Sequence, residues 1–333
     1  MTPMQEHIRK QLYTVSAFAA ASDPRMRLDA NETAFLESQL MQHRQKTLEV
    51  QYPDNIALQL VPRATDIDPE AKTYSTHVID RRGRAKVIAA GAAANDIPRV
   101  DVKIDEILGT VAEIADSFGF SLSELRTAAR LGTPIEAWKG RAARSAVEDE
   151  IDQMVAKGET STQTSLGVTG FVNNANVSLD TTSFTVWSSS DTSDALIAEL
   201  MKPASAINVT VKNKGSLLSN TLALAPVNYD IIATKPMGSG SDLTVLKFFL
   251  LNNPYITSVV QWSKLALANA GGNGARAVCY RRDPEVLESV VPLLFEQLPP
   301  QAQGLELVTI CRARAGGVKV YHPEAMLYLD HTG

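Results

Sequence analysis

Four cations crowd one short stretch of the chain. In Tyr74–Ala89, YSTHVIDRRGRAKVIA, the side chains of Arg81, Arg82, Arg84 and Lys86 surround Gly83, with Asp80 just before them. Guanidinium and ammonium groups at that density recognise oxyanions, either nucleic-acid phosphates or protein carboxylates. The chain around them is acidic: 32 Lys and Arg stand against 37 Asp and Glu, a formal net charge of -5. A protein whose main task is to hold nucleic acid shows a basic excess or a basic stripe. Here the other basic clusters, Arg141 to Arg144 and Arg281–Arg282, are short. Each cluster taken alone reads as solvated or ion-paired surface.

Motifs for catalysis are missing. There is no GxxxxGK[ST] phosphate loop, no HExxH and no GxSxG elbow. Gly238-Ser-Gly-Ser-Asp242 lacks the third glycine of a dinucleotide fingerprint. His7, His43, His77, His322 and His331 have no metal-ligand spacing, and Cys279 and Cys311 cannot build a zinc site alone. Both cysteines read as buried small hydrophobes. Glu148-Asp149-Glu150 point in different directions on a helix and read as a solvated face. Trp138, Trp187 and Trp262 are expected in the core. No catalytic, cofactor-binding or metal-binding residue is assigned. No stretch approaches the ~18 apolar residues of a membrane span, and the N-terminus lacks the apolar core of a signal peptide.

Elements must hold the basic cluster in place. Asp80-Arg81-Arg82-Gly83 fits a type I turn with a left-handed glycine. On that register Ile79 faces Ala85, Val78 faces Lys86 and His77 faces Val87. Neither face is strongly apolar, so such a hairpin needs another surface to lie on. Before it, 29–48 reads as a helix with Phe35, Leu36, Leu40 and His43 on one side. After it, a Gly/Ala-rich exit ends at Pro98. Ser121 and Glu124 form a capping box, with Phe120 and Leu125 placed as its staple. Thr133, Pro134 and Glu136 start a second helix, which runs to Lys157 and stops at Gly158. Its apolar stripe is Val147, Ile151, Met154 and Val155. In the Ser/Thr-rich stretch that follows, Gly167–Val177 reads as a fixed turn, with Asn173-Asn174 suited to a left-handed position. Beyond it the chain alternates: helix 193–201, strand 207–211, helix 241–252, strand 275–280, helix 284–298, and strands 305–313 and 318–321. The class is α+β.

The order of parts (arm, helix, hairpin, capped long helix, Gly-rich turn, α+β region) resembles the major capsid proteins of tailed bacteriophages, with the HK97-type fold shared with encapsulins. The stretches that carry the resemblance are YSTHVIDRRGRAKVIA, then NDIPRVDV at 95–102 and FSLSELRTA at 120–128. GVTGFVNN at 167–174, YRRDPEVL at 280–287 and RAGGVKVYHP at 314–323 follow. The resemblance implies an N-terminal arm over 1–62, an extended loop over 63–100 and a peripheral domain over 101–190 with a spine helix at 121–158. It implies an axial domain over 191–304, and C-terminal strands over 305–333 shared between the two domains.

The implied function is a structural one, with no enzyme activity. Hexamers and pentamers of this chain would build the icosahedral head shell around double-stranded DNA. Asp80, Arg81, Arg82, Gly83, Arg84 and Lys86 would meet an acidic neighbouring subunit, and the DNA would be touched only weakly and without sequence preference. Further implied partners are a portal protein, a separate scaffolding protein and a decoration protein, with no membrane and no cofactor. The chain would be made in the host bacterial cytoplasm and end in the virion. The alternatives are an encapsulin-like compartment and an α+β enzyme with a dispersed site.

Overall fold

Strand β1 (Thr73–Asp80) pairs with β2 (Lys103–Thr110), from Thr73 opposite Thr110 to Asp80 opposite Lys103. This antiparallel ribbon corrects the tight hairpin expected from the sequence. Closing at Gly83 would give a short ladder with Val78 against Lys86. The longer closure gives eight pairs, with Ile79 against Ile104, Thr76 against Ile107, and His77 against Glu106. Cross-strand pairs are what stabilise a ladder, so the distant partner wins over the local turn signal. Gly83 does not adopt a positive φ. Its lack of a side chain serves close approach instead, since a Cβ there would come within 2.6 Å of Val100.

The computed structural model describes residues 52, 54–81, 83–88, 97–131, 135–158, 167–181, 184, 187–212, 214–238, 240, 242–266, 268 and 274–330. The chain divides into Met1–Tyr52 and Pro53–Gly333. Every element named below belongs to the second unit, and the helix expected over 29–48 lies outside the described residues.

A short helix α1 (Ala57–Leu60) precedes the ribbon. After it, β3 (Ala112–Ser121) leads into α2 (Leu122–Leu131) and then into the 23-residue α3 (Ile135–Lys157). Strand β3 pairs along its whole length with β11 (Glu306–Ala315). The other edge of β11 holds β10 (Gln301–Gln303) and β9 (Leu293–Gln297). Alternation on β11 splits the sheet faces. Cys311, Ala313 and Ala315 are buried in the core with Ala143, Val147 and Ile151 of α3, while Arg312 and Arg314 point to the other face.

Helix α3 ends as its sequence suggests, at Gly158 with φ +74°. Its last carbonyls are satisfied by the turn that follows: Phe171 N donates to Val155 O, Val172 N to Ala156 O, and Asn173 Nδ2 to Lys157 O. Asn173 and Asn174 stay out of the left-handed region and act through their side chains instead. Asn173 Oδ1 accepts from Gly170 N at 3.0 Å, and Asn174 Oδ1 from Asn176 N at 3.0 Å.

The second large sheet runs β4-β13-β7-β5-β6, from β4 (Ser178–Asp180), β13 (Met326–Asp330), β7 (Arg276–Tyr280), β5 (Thr221–Leu224) and β6 (Ser258–Gln261). Strands β5, β7 and β13 bury every residue, as strands covered on both faces must. Their core is shared with α4 (Ser193–Val211), α5 (Pro226–Thr234) and α6 (Val245–Asn252). A small ladder joins β8 (Leu287–Ser289) to β12 (Val318–Val320).

Three further expectations are corrected. The strand expected at 207–211 is the last part of α4: Ile207 and Val211 continue the buried line of Leu196, Leu200 and Ala204 at helical spacing, and that packing overrides β-branched propensity. The helix expected at 284–298 is β8 and β9. Pro292 has no N–H to give a helix, Val290 and Val291 disfavour one, and β11 and β12 offer ladders. Trp187 and Trp262 are buried, but Trp138 is half exposed on α3.

Candidate functional site

The ribbon is exposed along most of its length, and its two faces differ. On one face, Tyr74 and Thr76 of β1 share a side with Ile107 and Gly109 of β2. These four are half-buried against the body. The Tyr74 ring lies so close over Gly109 that a Cβ would not fit. The Tyr321 hydroxyl donates to Glu288 at 3.2 Å. Burial, with the Tyr321 and Glu288 oxygens nearby, pushes the Tyr74 phenol up to about 12. The other face carries Ile79 and Ile104 directly opposite each other, with Leu108 further along β2. They are 47%, 63% and 69% exposed. At about 3.4 Å per residue the ribbon is about 27 Å long, and an isolated two-stranded ribbon is marginal in water. It carries these three apolar side chains towards solvent, with the His77–Glu106 pair between them.

The cations that opened the sequence lie where the ribbon turns back. Asp80 ends β1, and Arg81, Gly83, Arg84 and Lys86 follow it as exposed loop. Arg82 lies outside the described residues. Val87, almost fully exposed, and Val100 add apolar surface to the same loop.

At the start of α2, Glu124 accepts from Ser121 N at 3.2 Å and from Lys139 Nζ at 3.3 Å, and the Ser121 hydroxyl accepts from Ser123 N at 3.2 Å. The Ser121 N–H, then the Lys139 ammonium, hold the Glu124 carboxyl below its ordinary range. Glu136 sits in the first turn of α3, where the helix dipole favours an acid. Thr133 lies outside the described residues.

Three polar groupings carried no local signal. The first is the root of the ribbon, where Glu70 bridges two arginines of β11: Arg312 Nη2 at 2.9 Å and Arg314 Nη2 at 3.2 Å. Glu296 Oε2 sits 2.6 Å from Arg312 Nε, and Glu113 reaches both guanidinium groups at 3.8 and 3.5 Å. The Glu296 hydrogen bond is the largest influence raising the Arg312 pKa. The second is a strap over residues 55–64. Asn55 donates to Asp149 at 2.7 Å and Ala57 N to Asp152 at 2.9 Å. Leu60 O accepts from the Tyr280 hydroxyl at 2.8 Å, and Pro62 O from Ser289 N at 2.7 Å. Asp152 is 3% exposed, and burial raises its carboxyl above the ordinary value. An acid set between Ile151 and Met154 is the one hint the sequence offers. The third is a buried pair: Arg276 donates to Asp330 through Nε at 2.6 Å and Nη2 at 2.9 Å, to Val172 O through Nη1, and lies 4.7 Å from the Tyr328 ring centroid.

Nothing in these groupings is arranged for turnover. The arginine groups are paired to carboxylates within the chain. Burial pushes the Cys279 thiol up to about 12, the opposite of what a nucleophilic thiol requires. Among the described residues no cluster of His, Cys, Asp or Glu is arranged to hold a metal, and no helix is long and apolar enough to cross a membrane. One depression, of about 600 Å³, is lined by Ser193, Asp230, Lys235 and neighbours. There Lys235 Nζ is engaged by Ser189 O at 2.8 Å and the Ser193 hydroxyl by Pro236 O at 2.8 Å.

Known proteins match this architecture. A chain from the capsid of Myoviridae phage XM1 superposes with TM-score 0.77 at 15% identity, covering 89% of this chain and 98% of the other. A chain from Gordonia phage Cozz gives 0.61 at 14% identity, covering 92% and 98%. One from the capsid of the native GTA particle gives 0.59 at 12%, covering 92% and 100%. No curated protein matches the chain. The family model for the major capsid protein matches residues 83–331. The chain therefore belongs to the major capsid protein family, structural proteins of the HK97-type fold whose copies build the icosahedral head shell of tailed phages.

Proposed function

We propose that this capsid protein assembles as hexamers and pentamers, and that the ribbon is laid over a neighbouring copy. What supports this is one observation: Ile79, Ile104 and Leu108 are exposed apolar side chains on one face of an element too thin to bury them, with the His77–Glu106 pair between them. A shell of many copies supplies the missing surface. In this reading 1–62 is the arm, and the ribbon with its loop is the extended loop first assigned to 63–100. The sheet of β3 and β11 with α3 is the peripheral domain, and the five-stranded sheet with its helices is the axial domain. Strands β11 and β13, both from 305–333, join different sheets, in keeping with a C-terminal region shared between the domains. Asp80, Arg81, Arg82, Gly83, Arg84 and Lys86 meet acidic groups of the neighbour, where charge sets register more than affinity.

A portal protein, a separate scaffolding protein and a decoration protein complete the head, and packaged DNA is held weakly and without sequence preference. Synthesis is in the host bacterial cytoplasm. Negative-stain microscopy of the purified chain tests the proposal: rings of five or six copies, or closed shells, are expected. A monomer that persists at high concentration would contradict it.

A further inference from the structure

The ribbon meets the body of its own subunit at a root made largely of charge. Arg312 and Arg314 stand two apart on β11, so both leave the face of the sheet that α3 does not cover. Onto that face comes the chain entering the ribbon. Glu70 places one carboxylate oxygen on each arginine, and Pro69 O accepts from Arg314 Nη1 at 3.3 Å. The chain leaving the ribbon is held by the same two arginines, through Glu113. One backbone hydrogen bond, Val111 N to Lys72 O at 2.9 Å, closes the root between them.

Three features make this grouping a loose hold. Three carboxylates share two guanidinium groups. The two contacts to Glu113 are long, at 3.8 and 3.5 Å. Glu70 and Glu113 are more than half exposed, and Arg314 Nε is buried without a hydrogen-bond partner. Exposed ion pairs are weak and are screened by salt. Beyond the root, the near part of the ribbon lies on the body through the half-buried face of Tyr74, Thr76, Ile107 and Gly109, and Lys319 Nζ donates to Leu108 O at 3.4 Å. By contrast, the strap just upstream is fixed by backbone hydrogen bonds to Ser289 and by the buried Asp152.

We infer that the Glu70–Arg312–Arg314–Glu113 clasp is an ionic hinge that sets the angle of the ribbon, and that weakening it lets the ribbon swing while the sheet beneath stays intact. The inference rests on the reading of the ribbon as an element laid over neighbouring copies. A copy in a five-membered ring and one in a six-membered ring present that neighbour at different angles, and an ionic root can yield between them.

The test measures the angle inside one subunit. Spin labels are placed at His77→Cys, exposed in β1, and Val209→Cys, exposed on α4. Cys279 and Cys311 are fully buried, so they do not compete for label. Labelled full-length chain is diluted into unlabelled chain, so only distances within a subunit are read, whatever the assembly state. Failure of the hinge is thus separable from failure to form shells. Wild type at low salt should give a single narrow distance distribution. Glu70→Gln should broaden it about twofold, and so should wild type in 1 M NaCl, where the screening length falls to about 3 Å. The salt arm needs no substitution and stands even where the variant fails to fold. Distributions that stay as narrow as wild type in both arms would overturn the hinge. Broadening in the variant without any response to salt would overturn its ionic character.

Discussion

The five-stranded sheet and the two-stranded ribbon are built from similar residues and used in opposite ways. Strands β5, β7 and β13 bury every side chain, and their polar groups are paired within the subunit, as Arg276 is to Asp330. Strands β1 and β2 contain Val78, Ile79, Ile104, Ile107 and Leu108, yet none of their residues is buried. The sheet completes itself and should set the stability of the isolated chain. In the proposed reading the ribbon is completed by a neighbouring copy, and its energetics belong to the assembly. Substitutions in the first region should therefore move melting, and those in the second should move shell formation.

The largest effect is expected in the sheet. Arg276→Ala breaks the buried ion pair with Asp330, which costs about 3–5 kcal/mol; chemical denaturation of the isolated chain reads it directly. Next comes the strap. Asp152→Ala removes the acceptor for Ala57 N and costs about 1–3 kcal/mol, whereas Asp152→Asn keeps an acceptor and removes a buried charge.

The pH dependence of that pair has a definite sign. Burial raises the Asp152 pKa above its ordinary 3.8, so its favourable contribution is full below that value and is lost as pH rises through the raised one. Relative to wild type, the Asn variant should therefore gain stability as pH climbs from about 4 towards neutrality. A melting difference that is flat with pH would show that the carboxyl is not shifted. Smaller again, Ser121→Ala should cost about 1 kcal/mol through loss of the cap at the start of α2, seen as a lowered thermal midpoint with assembly unchanged.

How legible each region was follows from how local its determinants are. The caps at Ser121 and Glu124, the buried stripe Val147–Ile151–Met154–Val155 and the stop at Gly158 depend on residues within four or five positions, and the sequence displays them. The thin apolar faces of β1 are a local property, and the sequence displays them too. Its pairing is not local: β2 begins more than twenty residues beyond the end of β1, and the local Asp-Arg-Arg-Gly signal pointed to a nearer closure. The clasp was invisible for the same reason, since Glu70 and Arg312 lie 242 positions apart. The misread segments at 207–211 and 284–298 mark where packing and ladder partners outweigh propensity.

The smallest effect on stability is expected where the effect on function is greatest. Replacing Ile79, Ile104 and Leu108 together by Thr places β-branched residues at all three strand positions and removes the exposed apolar side chains, so each substitution should shift the stability of the subunit by no more than about 0.5 kcal/mol. Electron microscopy of that variant beside wild type, with melting as the control, is the most direct test of the ribbon as the unfinished half of an interface. Wild type should form capsomers and shells, and the variant should remain as folded, unassembled subunits. Shells from the variant in normal yield would contradict the account.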